Sequence, residues 1–444
     1  MEDMGMLTLK LKNLGPISRA EMCIKPLTIL IGPNSAGKSY VTQLLYSFLT
    51  SVTELSPYYS SVSDLSTKKY SYVVDNLMSE EIREKLYNGT IIELKNEKVV
   101  SIINNLLQNS KLELEEGIAR IFGTKTLRSL VKENSKTADF DFILGKLGIL
   151  SFKLNNKLSL HRSLELLNKN KILLIPSEKY SNIKVKWTTN SCEIYINYEA
   201  FSSKRSLRRI EYELISSIMS SVMDFQKIFY LPPGRSAIIN SLDAAASNLI
   251  VSGSLTGQFL SQFIAVDSSE KSEMWASVSA FEKNMFKGFV TIEQAPVIPK
   301  VVYHFGKMEL PIRRASSSIS ELTPLFLYAK HSLKKGDLII IEEPEAHLHP
   351  ENQANIAKFI ALLLKNGINI IITTHSDYFL TRLNNLISKK EIDANSISAY
   401  LFKLDNSSNG YKTTPIYKNG KISSVNFLQI DYVLYKEKLM SQHK

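Results

Sequence analysis

Cysteine is nearly absent. Only Cys23 and Cys192 occur in 444 residues, which excludes a disulfide-stapled scaffold and leaves two reduced, buried thiols as the expectation. No apolar stretch approaches the ~20 residues of a membrane span, so no membrane association is expected. The opening Met1-Glu2-Asp3-Met4 is acidic and lacks an apolar h-region, so no secretory signal is expected, and with two cysteines a reducing cytoplasm is the default expectation. No heptad pattern is kept over three or four repeats, which argues against a long coiled coil. Charge of one sign is only mildly in excess. Lys plus Arg number 54 against 43 for Asp plus Glu, a formal charge of +11. That surplus permits a polyanionic partner such as DNA, but a nucleotide site or solubilising lysines account for it equally. With 44% hydrophobic and 22% charged residues the composition is that of a globular chain, and its length suggests about two or three domains.

What is present is organised around Gly32-Pro33-Asn34-Ser35-Ala36-Gly37-Lys38-Ser39, which fits G-x-x-x-x-G-K-[ST]. The apolar run Leu27–Ile31 before it reads as a buried strand, and Val41, Leu44, Leu45 and Phe48 after it recur at helical spacing. Glycines let the backbone curl so that its N–H groups face an anion, and the helix start adds partial positive charge. In such a phosphate-binding loop Lys38 reaches the β- and γ-phosphates, Ser39 holds Mg²⁺, and Tyr40 continues the nucleotide segment. The plainer reading is a Gly/Ser turn before an ordinary helix.

Upstream, Leu7, Leu9 and Leu11 alternate with polar residues, Asn13-Leu14-Gly15-Pro16 is a turn signal, and Ala20–Ile24 suggests a second strand. Residues 1–50 therefore read as an antiparallel sheet leading into the loop. Residues 51–225 read as an inserted, mainly helical subdomain, with helices near Ser79–Tyr87, Val99–Leu106, Leu112–Ile121 and Leu127–Lys132. Ile172–Ile175 and Cys192–Tyr198 look like short strands. Lys204, Arg205, Arg208 and Arg209 head a further helix, as a solvated basic face or a phosphate contact. Asp139-Phe140-Asp141 pairs two acids, but no third carboxylate at a useful spacing supports a metal site.

Residues 226–400 carry the remaining chemistry. Ile228–Leu231 is an apolar run stopped by Pro232-Pro233-Gly234, which places Arg235 at a loop start. Ser241–Ile264 reads as mostly helical, and Val297–His304 with Lys307–Leu310 as a hairpin around Gly306. Ser316, Ser317 and Ser318 precede a helix that begins either with Thr323 as its cap or near Ser318 with a bend at Pro324. Leu338–Ile341 is an apolar strand ending in Glu342-Glu343-Pro344-Glu345. Glu342 suits the Mg²⁺ shell, and Glu343 suits the proton of an attacking water. His347 and His349 are expected in the turn before a helix over 351–365, with a bound metal as the less favoured reading. Ile368–Thr374 is a strand that delivers His375 to the same sheet edge, within reach of a γ-phosphate. Residues 401–444 read as a short β/helical extension: after His375 come a helix, strands near Ser398–Lys403 and Thr413–Tyr417, and a tail.

Taken in this order, these elements resemble the ATPase heads of the ABC superfamily, and more closely the RecF/SMC-like and OLD-like cytoplasmic ATPases among the AAA family ATPases. Leu11–Ile17 looks like the family's N-terminal sheet, Glu342–Pro350 like its Walker B and D-loop, His375 like its switch histidine, and Ala315–Leu322 like a divergent signature motif. The resemblance covers about 1–50 and 226–400 and leaves out the insert. It implies an α/β P-loop NTPase fold: a mixed sheet flanked by helices, an N-terminal antiparallel sheet, and the inserted subdomain. It also implies ATP and Mg²⁺ as ligands and a homodimer, or higher homo-oligomer, that sandwiches two nucleotides. Ser316, Ser317 and Ser318 would touch the γ-phosphate in trans.

The signature lacks its usual glycines, Glu342 stands where aspartate is common, and a Q-loop glutamine is not identified. Arg235, in a Tyr-Leu-Pro-Pro-Gly-Arg-Ser run similar to one in related ATPases, is an active-site candidate. The residues after His375 are too few for a C-terminal TOPRIM nuclease domain of ~100 residues. The expected function is a nucleotide-dependent dimerisation switch in DNA maintenance or antiphage defence, acting on DNA or an effector protein. The alternative is a sensor or scaffold with little turnover that holds a separate toxin or nuclease. A transporter ATPase is disfavoured by the long insertion between Ser39 and Leu338.

Overall fold

The computed structural model describes residues 7–53, 90–94, 111–144, 148–162, 172–177, 182–187, 193–197, 227–240, 254–295, 299–405, 410–418 and 420–423, with a few single positions between them. The chain opens on strands β1 (Leu7–Leu14) and β2 (Ile17–Ile24), then β3 (Leu27–Ile31) and helix α1 (Lys38–Thr53). Next come β4 (Ile92–Leu94), α2 (Lys111–Ile121), β5 (Ala138–Leu144), β6 (Gly148–Leu154) and β7 (Leu158–Arg162). β8 (Ile172–Ser177), β9 (Asn182–Trp187), β10 (Glu193–Asn197) and β11 (Ile228–Leu231) follow. Helices α3 (Arg235–Asn240), α4 (Leu255–Ile264) and α5 (Trp275–Phe286) lead to β12 (Phe289–Glu293), β13 (Lys300–Phe305) and β14 (Met308–Pro311). The last elements are α6 (Ser317–His331), β15 (Leu338–Glu342), α7 (Pro350–Lys365), β16 (Asn369–Thr374), α8 (Asp377–Ser388), β17 (Ile397–Asp405) and β18 (Gly410–Pro415). Two compact units result, Met1–Ile24 with Tyr40–Ile228, and Lys25–Ser39 with Phe229–Lys444.

In the first unit an antiparallel sheet runs β2-β1-β5-β6-β7. Period-two alternation buries Ala138, Phe140, Phe142 and Leu144 on one face of β5, and Phe48 of α1 stacks on Phe142 with ring centroids 3.6 Å apart. The other face carries Asp139 and Asp141, opposite Lys12 and Lys10 of β1. These acids form a charge-complementary sheet face, and no group of three metal-binding side chains occurs among the described residues. A second sheet runs β10-β9-β8-β4.

Much of the insert expected to be mainly helical lies outside the described residues. Among the described residues of 51–225, strands predominate, and 127–130 is a 3-10 turn rather than an α-helix. The expected helix over 112–121 is present as α2. The edge of β1 supplies β5 with a pairing partner that no local pattern reveals. The expected helices over 99–106 and 204–223, the basic cluster at 204–209 and Cys192 lie outside the described residues.

In the second unit the strand order is β11-β15-β16-β3-β17-β18. The pairs β15/β16, β16/β3 and β3/β17 are parallel, and β17/β18 is antiparallel. All residues of β3, β15 and β16 are buried, so these strands read as unbroken apolar runs. The boundary expected at 400 falls inside β17, a full member of this sheet. The antiparallel strands expected to belong with the nucleotide head, β1 and β2, instead group with 40–228 through the β1/β5 ladder.

Helix α6 begins at Ser317 with Ser316 as its cap, which settles the two starts the sequence allows. Pro324 lies inside it, and the Thr323 hydroxyl bonds the Ile319 carbonyl at 2.7 Å instead of capping. The far end of α6 is fastened by a buried ion pair, Lys330 Nζ to Glu282 Oε2 at 2.8 Å.

Candidate functional site

Register brings the candidates to one edge. Glu342 pairs with Thr373, and Thr374 pairs with Ile31. The parallel strands β15, β16 and β3 therefore end together, and Glu343, His375 and Gly32 leave the sheet side by side. This is the carboxyl edge where open α/β sheets bind ligands. His375 comes from the middle strand, between the acids and the loop.

The loop 32–37 curls through positive φ at Gly32 (154°), Ser35 (61°) and Gly37 (97°). A Cβ on Gly32 would lie 2.8 Å from Phe402 Cβ and 3.0 Å from Phe402 O, so β17 requires glycine there. Lys38 is 6% exposed and donates to the carbonyls of Gly32 and Pro33, both at 2.9 Å. Burial lowers the Lys38 pKa, and the nearby charges of Glu343, Glu342 and Glu345 oppose that shift. Asn34, Ser35 and Ser39 are exposed, while Ala36 and Gly37 are buried under the loop.

Glu342 is 2% exposed. Glu343 takes φ 47°, a left-handed conformation that costs a non-glycine residue about 1–2 kcal/mol. Its N–H is held by the Thr373 carbonyl at 3.0 Å and the Thr373 hydroxyl at 3.2 Å. This turn brings Glu343 Oε1 to 3.8 Å from His375 Nε2, too long for a hydrogen bond. His375 Nε2 is itself buried with no hydrogen-bond partner, a polar atom suited to an incoming ligand.

Burial lowers the His375 pKa, the Lys38 charge lowers it further, and Glu343 opposes both. The ring is therefore neutral at pH 7. Below the unfolded value of about 6.5 the unfolded chain binds a proton that the folded ring refuses. Stability is thus expected to fall as pH drops from about 6.5 toward the lower folded value. His375→Asn should remove this loss, measured as unfolding free energy in denaturant between pH 7 and 5. An equal slope in both proteins would contradict the assignment.

Arg235 faces inward. It is 1% exposed, and its guanidinium is engaged inside the protein by four hydrogen bonds and an ion pair. Nε meets the Glu321 carbonyl at 3.2 Å, and Nη1 the carbonyls of Pro232 and Glu342 at 3.1 and 2.7 Å. Nη2 meets the Glu343 carbonyl at 3.3 Å and the Glu321 carboxylate at 2.9 Å. Arg235 is a clamp between helix α6 and the acid pair.

The serines divide by partner. Ser316 accepts from the Ile319 N–H at 3.4 Å, Ser318 donates to the His347 carbonyl at 2.9 Å, and Ser317 is exposed. The Tyr40 ring is taken up within the first unit, against Gly15 and Phe122. His347 sits in a left-handed turn and His349 occupies the N-cap position of α7 without a side-chain bond, so both lie in the turn before this helix. Sequence reasoning missed Glu321 and Glu345 as working side chains. The only signal for Glu345 is its place two residues after Glu343, and Glu321 carries none.

Ser39 and Glu342 offer hard oxygen donors, the chemistry Mg²⁺ prefers when phosphates and waters complete its shell. The AAA ATPase domain family matches residues 4–380. None of the curated proteins matches the chain. Among solved structures, the SMC head domain from Thermotoga maritima is similar at 10% identity and TM-score 0.35, covering 92% of this chain and 98% of that one. An SMC head bound to the C-winged helix domain of ScpA is similar at 11% identity and TM-score 0.40, covering 92% and 97%. A Pyrococcus furiosus structure, an SMC head with an extended coiled coil bound to the C-terminal domain of ScpA, is similar at 11% identity and TM-score 0.38, covering 97% and 98%.

Proposed function

The chain belongs to the AAA ATPase domain family, and from that premise we propose that it hydrolyses Mg-ATP and uses the nucleotide to switch a homodimer between open and closed states. The observation that carries this reading is the meeting of Lys38, Glu343 and His375 at one sheet edge, with Glu343 turned outward by its left-handed backbone. Lys38 and the loop amides 33–38 bind the β- and γ-phosphates. Glu343 orients the attacking water and takes its proton, and His375 faces the γ-phosphate. Magnesium, when bound through Ser39 and Glu342, screens charge on the phosphates.

In the closed dimer the start of helix α6 meets the partner's γ-phosphate. Ser318 spends its proton on His347, so Ser316, Ser317 and the helix amides are the available donors. The first turn of α6 has no acid, and exposed Arg313 and Arg314 precede it, which favours an anion there. Action on DNA or an effector protein, in DNA maintenance or antiphage defence, extends this reading by analogy. No described helix is long and apolar enough to cross a membrane, and we place the protein in the cytoplasm.

The test is the solution mass of Glu343→Gln by light scattering. With the proton acceptor removed, Mg-ATP is expected to double the mass and turnover to fall by about 100-fold or more. A mass that ignores nucleotide would overturn the trans arrangement. The cis bond of Ser318 favours a second reading, a sensor or scaffold that binds ATP with little turnover. A steady-state assay on the unaltered protein separates the two.

A further inference from the structure

We propose that Glu345 is a positioning residue that sets the place of His375 relative to Glu343. Glu345 is 8% exposed, and its Oε1 accepts two hydrogen bonds, from the Thr374 hydroxyl at 2.8 Å and the His375 backbone N–H at 2.6 Å. One carboxylate oxygen thus grips the residue that must be placed and the residue before it. Glu345 stands in the same tight turn as Glu343, closed by Ala346 N–H to the Glu343 carbonyl at 3.0 Å and Leu348 N–H to the Glu345 carbonyl at 3.1 Å. The carboxylate and the imidazole, 3.8 Å apart, are therefore mounted on one turn although they arise from different strands.

A second grip lies on the far side of His375. The Ser376 hydroxyl donates to Gln353 Oε1 at 2.6 Å, and Gln353 Nε2 donates to the Leu348 carbonyl at 2.9 Å. Ser376 N–H returns to the Thr374 hydroxyl at 3.1 Å. The His375 turn is fastened on both sides to 345–353.

Satisfying one buried N–H needs no ionisable group, since Ser or Asn would serve at lower desolvation cost. Glu345 accepts that cost, and its Oε2 is buried with no hydrogen-bond partner. Burial raises its pKa, opposed by the bonds from His375 and Thr374. What a longer carboxylate adds is reach across the turn. A displacement of about 1 Å at such a site is enough to cost orders of magnitude in rate.

The kinetic part of the test rests on the ATPase reading, and the spectroscopic part does not. Glu345→Ala, Glu345→Gln and Thr374→Val are prepared in the full chain, with His375→Asn to identify the His375 ring resonance. In Glu345→Ala the His375 resonance is expected to move and kcat to fall by roughly tenfold or more, with KM within about threefold. Glu345→Gln keeps an acceptor for both bonds and should bring the resonance and most of kcat back. Thr374→Val removes half the grip and should move the resonance the same way by less, which keeps the test open if Glu345→Ala fails to fold. A His375 resonance unmoved in both Glu345→Ala and Thr374→Val overturns the proposal, as does a loss confined to KM. If the unaltered protein shows no turnover, the ATPase reading fails and the resonance alone decides for or against Glu345.

Discussion

Lys38→Ala is expected to abolish ATP binding, weakening it by at least about 100-fold. The ammonium lies inside the loop, held by the carbonyls of Gly32 and Pro33 and flanked by the charges of Glu343, Glu342 and Glu345. A polyphosphate entering the site meets those three acids. Without Lys38 their repulsion is uncompensated, and the charge-assisted bonds to the β- and γ-phosphates are lost, each worth about 1.5–3 kcal/mol. The fold should survive, because the two loop carbonyls it serves lie beside exposed residues and can turn to water. Calorimetric titration with ATP, beside a thermal melt, checks both halves. Tight binding with a normal melt would remove the loop from its assigned role.

Arg235→Ala should have the largest effect on stability, about 3–5 kcal/mol, because it strands the Glu321 carboxylate in a dry site. Both side chains are essentially inaccessible, 1% and 0% exposed, and the pair is closed at 2.9 Å. Removing the guanidinium also frees the carbonyls of Pro232, Glu342 and Glu343. The double change Arg235→Ala with Glu321→Ala should recover part of the loss, since no unpaired charge remains. Denaturant unfolding of the two singles and the double gives the coupling. Additive effects would show that the clamp is not a pair. A variant that keeps full stability but loses only ATP affinity would return Arg235 to the phosphate site.

The acid pair and the loop are legible because their chemistry is local. Eight consecutive residues make the proposed phosphate loop, and a five-residue apolar strand presents Glu342 and Glu343. Arg235 was visible as a residue at a loop start but not as a clamp. Its partners lie 86 and 107 residues away, at Glu321 and Glu342, and no periodicity joins them. The strands of 138–162, within a segment expected to be mainly helical, are hidden for the same reason. The alternation of Ala138, Phe140, Phe142 and Leu144 has the period of a strand, but the strand is secured only by pairing with β1. The serine run shows a third kind of limit. Its helix start was among the choices the sequence allowed, yet which hydroxyl stays available depends on Ser318 meeting His347 across 29 residues.

By itself, then, the sequence determined the family, the phosphate loop, the acid pair and the histidine strand, since each is written in contiguous residues whose backbone geometry follows from local sterics and apolar period. The tertiary structure decided what those parts do to one another. It set the order β15-β16-β3 that places His375 between acid and loop, the left-handed turn that aims Glu343, and the inward use of Arg235. These depend on strand order and buried polar pairing between distant residues, and the free energy of such contacts has no counterpart in a local pattern.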